Sequence, residues 1–211
     1  MHIKRFVFNP FQVNTYLLSD NDGNALVIDP AMMDEHENTQ FTSWLKEHKL
    51  QLNRMLLTHG HVDHISGTAF LKSQFEIPAE GHNADAFLLA SAESHARSFG
   101  LETIPPAPLE KNVTDGQKIS CGTIELEARH VPGHSPGSLA FIHHESKSVF
   151  CGDALFAGSI GRTDLPQGDY DQLIASIKTT LLSLADEYTV YPGHGPESSI
   201  GAEKMTNPFL R

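Results

Sequence analysis

Between His59 and His64 the chain crowds three imidazoles and a carboxylate, those of His59, His61, Asp63 and His64, into six consecutive residues. Such crowding restricts the fold, because side chains this close must be solvated or share a cation. Neutral imidazole nitrogen and carboxylate oxygen suit Zn²⁺, Fe²⁺ or Mn²⁺. The run follows Leu52 to Leu57, an apolar segment with the signature of a strand, so the cluster is expected at a strand end. Gly60 is expected to let the backbone bend between two of the histidines. The bland alternative is a polar turn carrying incidental histidines.

Three more candidate ligands stand in similar settings later in the chain. Val131-Pro132-Gly133-His134-Ser135-Pro136-Gly137, Cys151-Gly152-Asp153 and Tyr191-Pro192-Gly193-His194-Gly195-Pro196 each follow an apolar stretch and set one ligand type among Gly and Pro. Rigid turns of this kind hold a side chain in place. The other histidines, His2, His36, His48, His82, His95, His130, His143 and His144, are expected to be surface or core residues rather than ligands. Cys151 is expected to be a buried strand residue.

Alternating segments Ile3 to Phe8, Val13 to Ser19 and Ala25 to Ile28, parted by turn residues, predict an opening antiparallel meander. Helical spacing predicts helices at Glu35 to His48, 64 to 73, Asn83 to Phe99, Tyr170 to Leu184 and Glu197 to Met205. Strands are expected at Leu52 to Leu57, Phe75 to Ala79, Gln117 to Ser120, Thr123 to His130, Leu139 to His143, Ser148 to Cys151 and Thr189 to Tyr191. Two facing sheets with helices on their outer faces would bury every apolar stripe. With no linker or repeat, the 211 residues are expected to form one α/β domain, 1–211.

A net charge of −11 without a basic block argues against nucleic acid, and no apolar run is long enough for a membrane span. The first residues resemble a strand rather than a secretion signal, and two cysteines make no disulfide framework, so a cytoplasmic protein is expected.

Taken together, these motifs resemble the metallo-β-lactamase superfamily from Phe6 to the end of the chain. The resemblance implies a four-layer αββα sandwich of two mixed sheets flanked by helices. It also implies two divalent ions, zinc first with iron or manganese as alternatives. His59, His61 and His134 would hold one; Asp63, His64 and His194 would hold the other; Asp153 would bridge them. Asp29 and Thr58 would support the ligands by hydrogen bonds, although Asp29 could instead be a turn cap. A shared water with its pKa lowered toward about 7 would then attack a carbonyl carbon, with Asp63 and Asp153 as the catalytic carboxylates.

The run Gly152-Asp153-Ala154-Leu155-Phe156-Ala157-Gly158-Ser159-Ile160-Gly161-Arg162-Thr163-Asp164-Leu165-Pro166 is similar to the glyoxalase II-like hydroxyacylglutathione hydrolases. Asn9-Pro10-Phe11, Asn14-Thr15-Tyr16 and Asn207-Pro208-Phe209 resemble the short bacterial members of that group. The resemblance implies hydrolysis of an S-lactoylglutathione-type thioester by a monomer or small homo-oligomer. Full-length relatives carry a C-terminal helical domain for glutathione, so recognition here is expected from loops, with Phe11, Gln12, Phe87, Phe99, Phe156, Ile160 and Arg162 as candidates. Arg162 could equally pair with Asp164. Two rival readings stay open: a mononuclear-iron persulfide dioxygenase using His59, His134 and Asp153, and a metal-binding protein without turnover.

Overall fold

The structure is a computed structural model that describes residues 1–98, 100 and 105–211. The opening meander is β1 (His2–Phe8), β2 (Val13–Ser19) and β3 (Asn24–Ile28), antiparallel throughout. Helix α1 (Glu35–Glu47), capped by the Asp34 carboxylate on the Glu37 N–H, leads to β4 (Gln51–Leu56), which pairs parallel to β3. Next come α2 (Val62–Ile65), α3 (Thr68–Phe75), β5 (Ala79–Gly81), a short 3₁₀ turn Asn83–Asp85, α4 (Ala86–Ser98) and β6 (Leu109–Asn112). Strands β1 to β6 form one mixed sheet in sequence order.

The second sheet contains β7 (Lys118–Cys121), β8 (Ile124–His130), β9 (Leu139–His143) and β10 (Ser148–Gly152). After a small hairpin of β11 (Leu155–Phe156) and β12 (Ser159–Ile160) comes α5 (Tyr170–Ser176), prolonged by a π-helical turn Ile177–Leu181. Strand β13 (Thr189–Pro192) joins β10 in parallel, β14 (Ser198–Ser199) forms the edge, and α6 (Ile200–Thr206) follows.

Strand alternation builds the layers. In β2 and β3, Tyr16, Leu18, Leu26 and Ile28 face the second sheet, while Leu17, Ala25 and Val27 pack with α1, α3 and α4 through Phe41, Leu45, Leu71 and Leu89. Opposite them, Leu139, Phe141 and Phe150 fill the space between the sheets, and Ala140, Ile142, Val149 and Cys151 face Leu173 and Ile177. Each large side chain buried in this way contributes about 1.5–3 kcal/mol. The result is the expected αββα sandwich, with one core between the sheets and one under each helical layer.

Some local expectations need correction. The helix expected at 64 to 73 is two helices, α2 and α3, with Ser66 and Gly67 between them. The strand expected at Phe75 to Ala79 starts only at Ala79, because Phe75 ends α3 and Glu76 turns left-handed at φ 56°. The helix expected to reach Phe99 starts as a 3₁₀ turn, and Phe99 lies outside the described residues. Among the described residues no helix is long and apolar enough to cross a membrane.

Candidate metal centre

All the candidate ligands lie just beyond strands, on one edge of the sandwich. Thr58, His59 and His61 follow β4, Asp63 and His64 sit in α2, His134 lies between β8 and β9, Asp153 follows β10 and His194 follows β13. The opening motifs hold these turns together. Asn9 Nδ2 donates to the carbonyls of Ala31 and Asp63, both at 2.9 Å. Asn14 Nδ2 donates to those of Pro192 and Gly195, also at 2.9 Å, and the Tyr16 hydroxyl reaches Pro192 O at 2.8 Å. Thr15 Oγ1 donates to Asp29 O. The β2 strand is therefore a frame for turns distant in sequence.

Gly60 does not bend the backbone into the left-handed region; it is needed for its size. A Cβ there would stand 2.9 Å from Leu89 Cδ1 and 3.0 Å from the Asp85 carbonyl.

Hydrogen bonds assign the ring nitrogens. His134 Nδ1 donates to Arg162 O at 2.7 Å, His194 Nδ1 to Phe11 O at 3.0 Å and His64 Nδ1 to Asp29 Oδ2 at 2.9 Å. Thr58 Oγ1 gives its proton to Asp29 Oδ2 at 2.6 Å, so it accepts from His59 Nδ1 at 3.0 Å. Each of these rings points its Nε2 at the cluster. His61 instead turns Nδ1 inward, 2.9 Å from His134 Nε2, which also lies 3.3 Å from His59 Nε2. Asp29, in left-handed backbone at φ 51°, also accepts from the Thr58 N–H at 2.7 Å, so its carboxylate is spent on orienting others.

Three groups have ligand atoms within 4.8 Å of one another, and since Asp29/His59/His64 is already joined by the hydrogen bonds through Asp29 and Thr58, His59/His61/His134 and Asp63/His64/His194 remain as the two ligand groups. Asp153 stands between them: Oδ1 is 3.4 Å from His64 Nε2, while Oδ2 is 3.4 Å from His194 Nε2 and 3.7 Å from His134 Nε2. Burial, reinforced by neighbouring imidazoles, pulls the pKa of His59 well down and that of His61 to about 3, which keeps both neutral. Burial opposes charge on Asp63 and Asp153 too, yet His64 and His194 outweigh it and hold both carboxyls below the usual range. In return these carboxylates overcome burial to raise His64, and they lift His194 to about 9.

The donor set fits divalent cations. Asp153 Oδ1 is buried without a hydrogen-bond partner, and the Nε2 atoms of His59, His64, His134 and His194 converge around it, a crowding that a divalent cation would satisfy by displacing any protons they hold.

A cleft of about 350 Å³ opens onto His61, Asp63, His134, Asp153 and His194. Of the residues expected to contact substrate, Phe11 and Arg162 line it. Arg162 is 58% exposed and forms a bidentate pair with Asp164, at 2.7 and 2.6 Å. Ile160 is instead packed in the core beneath α5, and Phe156 meets His194 edge-on at 6.2 Å. Gln12 and Phe87 are not among the residues lining the cleft. His95, which belongs to no ligand group, lines the cleft together with Ser98 of α4, as do Val62, Leu165 and Pro166, a role that the sequence did not mark. No local motif marks His95; its place depends on where α4 docks. Cys151 is buried among apolar side chains, which push its thiol up to about 12.

Comparison with known proteins agrees with this geometry. The metallo-beta-lactamase superfamily profile matches residues 8–194. The hydroxyacylglutathione hydrolase GloC of Haemophilus influenzae is 41% identical, over 100% of this chain and 98% of its own length. Among solved structures, the BLEG-1 B3 metallo-beta-lactamase superposes with a TM-score of 0.90 at 35% identity, covering 99% of both chains. TTHA1623, in a di-iron-bound form, gives 0.89 at 38% identity, covering 98% of this chain and 100% of its own. The chain thus belongs to the metallo-beta-lactamase superfamily and is a hydrolase of that fold.

Proposed function

We propose that this protein hydrolyses a small acyl thioester of the S-lactoylglutathione type. The observation that carries the proposal is the Asp153 carboxylate, set within 3.4–3.7 Å of nitrogens from both ligand groups at the floor of an open cleft. The hydroxyacylglutathione hydrolase relative supports the choice of substrate. His59, His61 and His134 would hold one divalent ion and Asp63, His64 and His194 a second, with Asp153 shared; zinc suits the donors first, and iron or manganese also fit. Such ions would supply Lewis acidity and a water whose pKa is lowered toward about 7.

The chain's own groups do the positioning. Phe11, Val62, Leu165 and Pro166 give the thioester an apolar wall, and Arg162 offers a cation at the rim for a substrate carboxylate. Asp63, 17% exposed on the cleft floor, is placed where it would accept a hydrogen bond from the attacking water and orient it. The leaving thiolate, whose conjugate acid has a pKa of about 8.5, departs without a dedicated proton donor. The remaining task is to hold the carbonyl carbon against the floor.

The test is purified protein assayed for S-lactoylglutathione hydrolysis and, in parallel, for O₂ uptake with glutathione persulfide, with metal content measured on the same sample. Thioester hydrolysis is expected. One iron per chain with O₂ uptake and no thioester cleavage would overturn the proposal.

A further inference from the structure

Asp85 belongs to neither ligand group, yet it touches the turns that carry His59, His61 and His134. It ends the 3₁₀ turn Asn83–Asp85, is 2% exposed, and immediately precedes α4. Its Oδ2 accepts from the Gly60 N–H at 2.9 Å and from Ser135 Oγ at 2.7 Å, and its Oδ1 accepts from the Gly137 N–H at 2.6 Å. Gly60 is the residue between His59 and His61, and Ser135 directly follows His134. One turn extends from the first sheet and the other from the second, so a single carboxylate joins them. Burial raises the Asp85 carboxyl above its usual range, and the bonds from Ser135, Gly60 and Gly137 offset only part of that.

A second tie between the same turns is the Leu139 N–H to Thr58 O bond of 2.7 Å. One tie fixes a distance, whereas two fix an orientation. We propose that Asp85 is a positioning residue, a clip that sets His134 at the angle where its Nε2 meets His59 and His61. The proposal rests on the ligand assignment made above.

The chemistry of the clip admits no near-isostere. Gly60 and Gly137 both present N–H donors, so an Asn at 85 would face at least one of them with its own NH₂ group, leaving that donor buried and unpaired. The opposite side of the contact is equally tight. A Cβ on Gly137 would stand 2.6 Å from Asp85 Cγ, so Gly137→Ala should displace the carboxylate without altering its charge. Two substitutions on separate segments therefore disturb the same joint.

The experiment titrates cobalt(II) into full-length, metal-stripped wild type, Asp85→Asn and Gly137→Ala. It follows visible absorption, affinity and the rise in melting temperature that cobalt produces. Asp20→Asn serves as the control, because Asp20 is another carboxylate that joins the two sheets, but far from the ligands. Asp85→Asn and Gly137→Ala should lose about 10–100-fold in affinity for one equivalent of cobalt, with an altered spectrum and a smaller cobalt-induced rise in melting temperature. Asp20→Asn should melt lower with and without cobalt and keep wild-type affinity and spectrum. If Asp85→Asn does not fold, Ser135→Ala removes one of the three bonds and should show the same effect at reduced size. Wild-type affinity and spectrum in Asp85→Asn, or in Ser135→Ala where it stands in, would overturn the clip. Wild type that takes up no cobalt would instead overturn the ligand assignment, and the clip with it.

Discussion

The two ends of β2 treat buried carboxylates in opposite ways. Beyond its C-terminal end, Asp20 accepts from the N–H groups of Thr123 and Asn24, each at 2.9 Å, and of Asp22 at 3.0 Å. The Thr123 bond leads in holding its pKa down to about 2, and the tie joins the first sheet to the β7–β8 turn of the second. At the other end, Asp153 Oδ1 is buried with no hydrogen-bond partner and imidazole nitrogens crowd one another at 2.9 to 3.3 Å. Both ends join the same two sheets. Asp20 is satisfied by the chain, whereas Asp153 and the imidazoles around it require something the chain does not supply. That contrast separates structural polarity from a binding site more sharply than burial alone.

The contrast can be broken most decisively at Asp153. Asp153→Ala should lose bound metal and hydrolysis together, by more than the roughly 100-fold expected for an outer hydrogen-bond partner, while Asp20→Ala keeps its metal. Metal analysis beside turnover checks both, and a fully metallated, active Asp153→Ala would end the bridging assignment. Asp29→Asn should come next, with about 10–100-fold weaker metal binding by chelator competition, since Thr58 and His64 lose the carboxylate that orients them.

A smaller effect, and one of pH, is expected at Asp20. Its folded pKa of about 2 lies below the unfolded value of about 3.9, so the native state holds this proton less tightly. The resulting stability is present above about pH 4 and is lost as pH falls toward 2. Urea midpoints of Asp20→Asn across that window should vary less with pH than those of wild type. The smallest change is expected from His95→Ala, with unaltered metal content and a KM raised a few-fold, because His95 lines the cleft without belonging to either ligand group. A large loss of metal there would redraw the site.

Much of this was legible in the linear sequence because it is local. The turn-bounded runs Val13–Ser19 and Leu139–His143 mark strands with the observed bounds, and ligand types next to Gly and Pro mark the turns. The parts that were not legible depend on separate segments meeting. Asp85 looks like any helix-start acid until Gly60, Ser135 and Gly137 arrive from 25 to 52 residues away. Ile160 and Arg162 are two residues apart, yet one enters the core and the other the cleft rim, since the hairpin Leu155–Ile160 is too short for its period to show. The motif Asn207-Pro208-Phe209 likewise acquires a physical role only in three dimensions, where Asn207 Nδ2 donates to Ser159 O at 3.0 Å and holds that hairpin.

The most direct test of the whole account is turnover of S-lactoylglutathione by the full-length protein before metal removal, after it, and after a divalent ion is returned. The account predicts hydrolysis, its loss on chelation, and recovery with about two equivalents of metal per chain. Hydrolysis that continues undiminished in the stripped protein would contradict it.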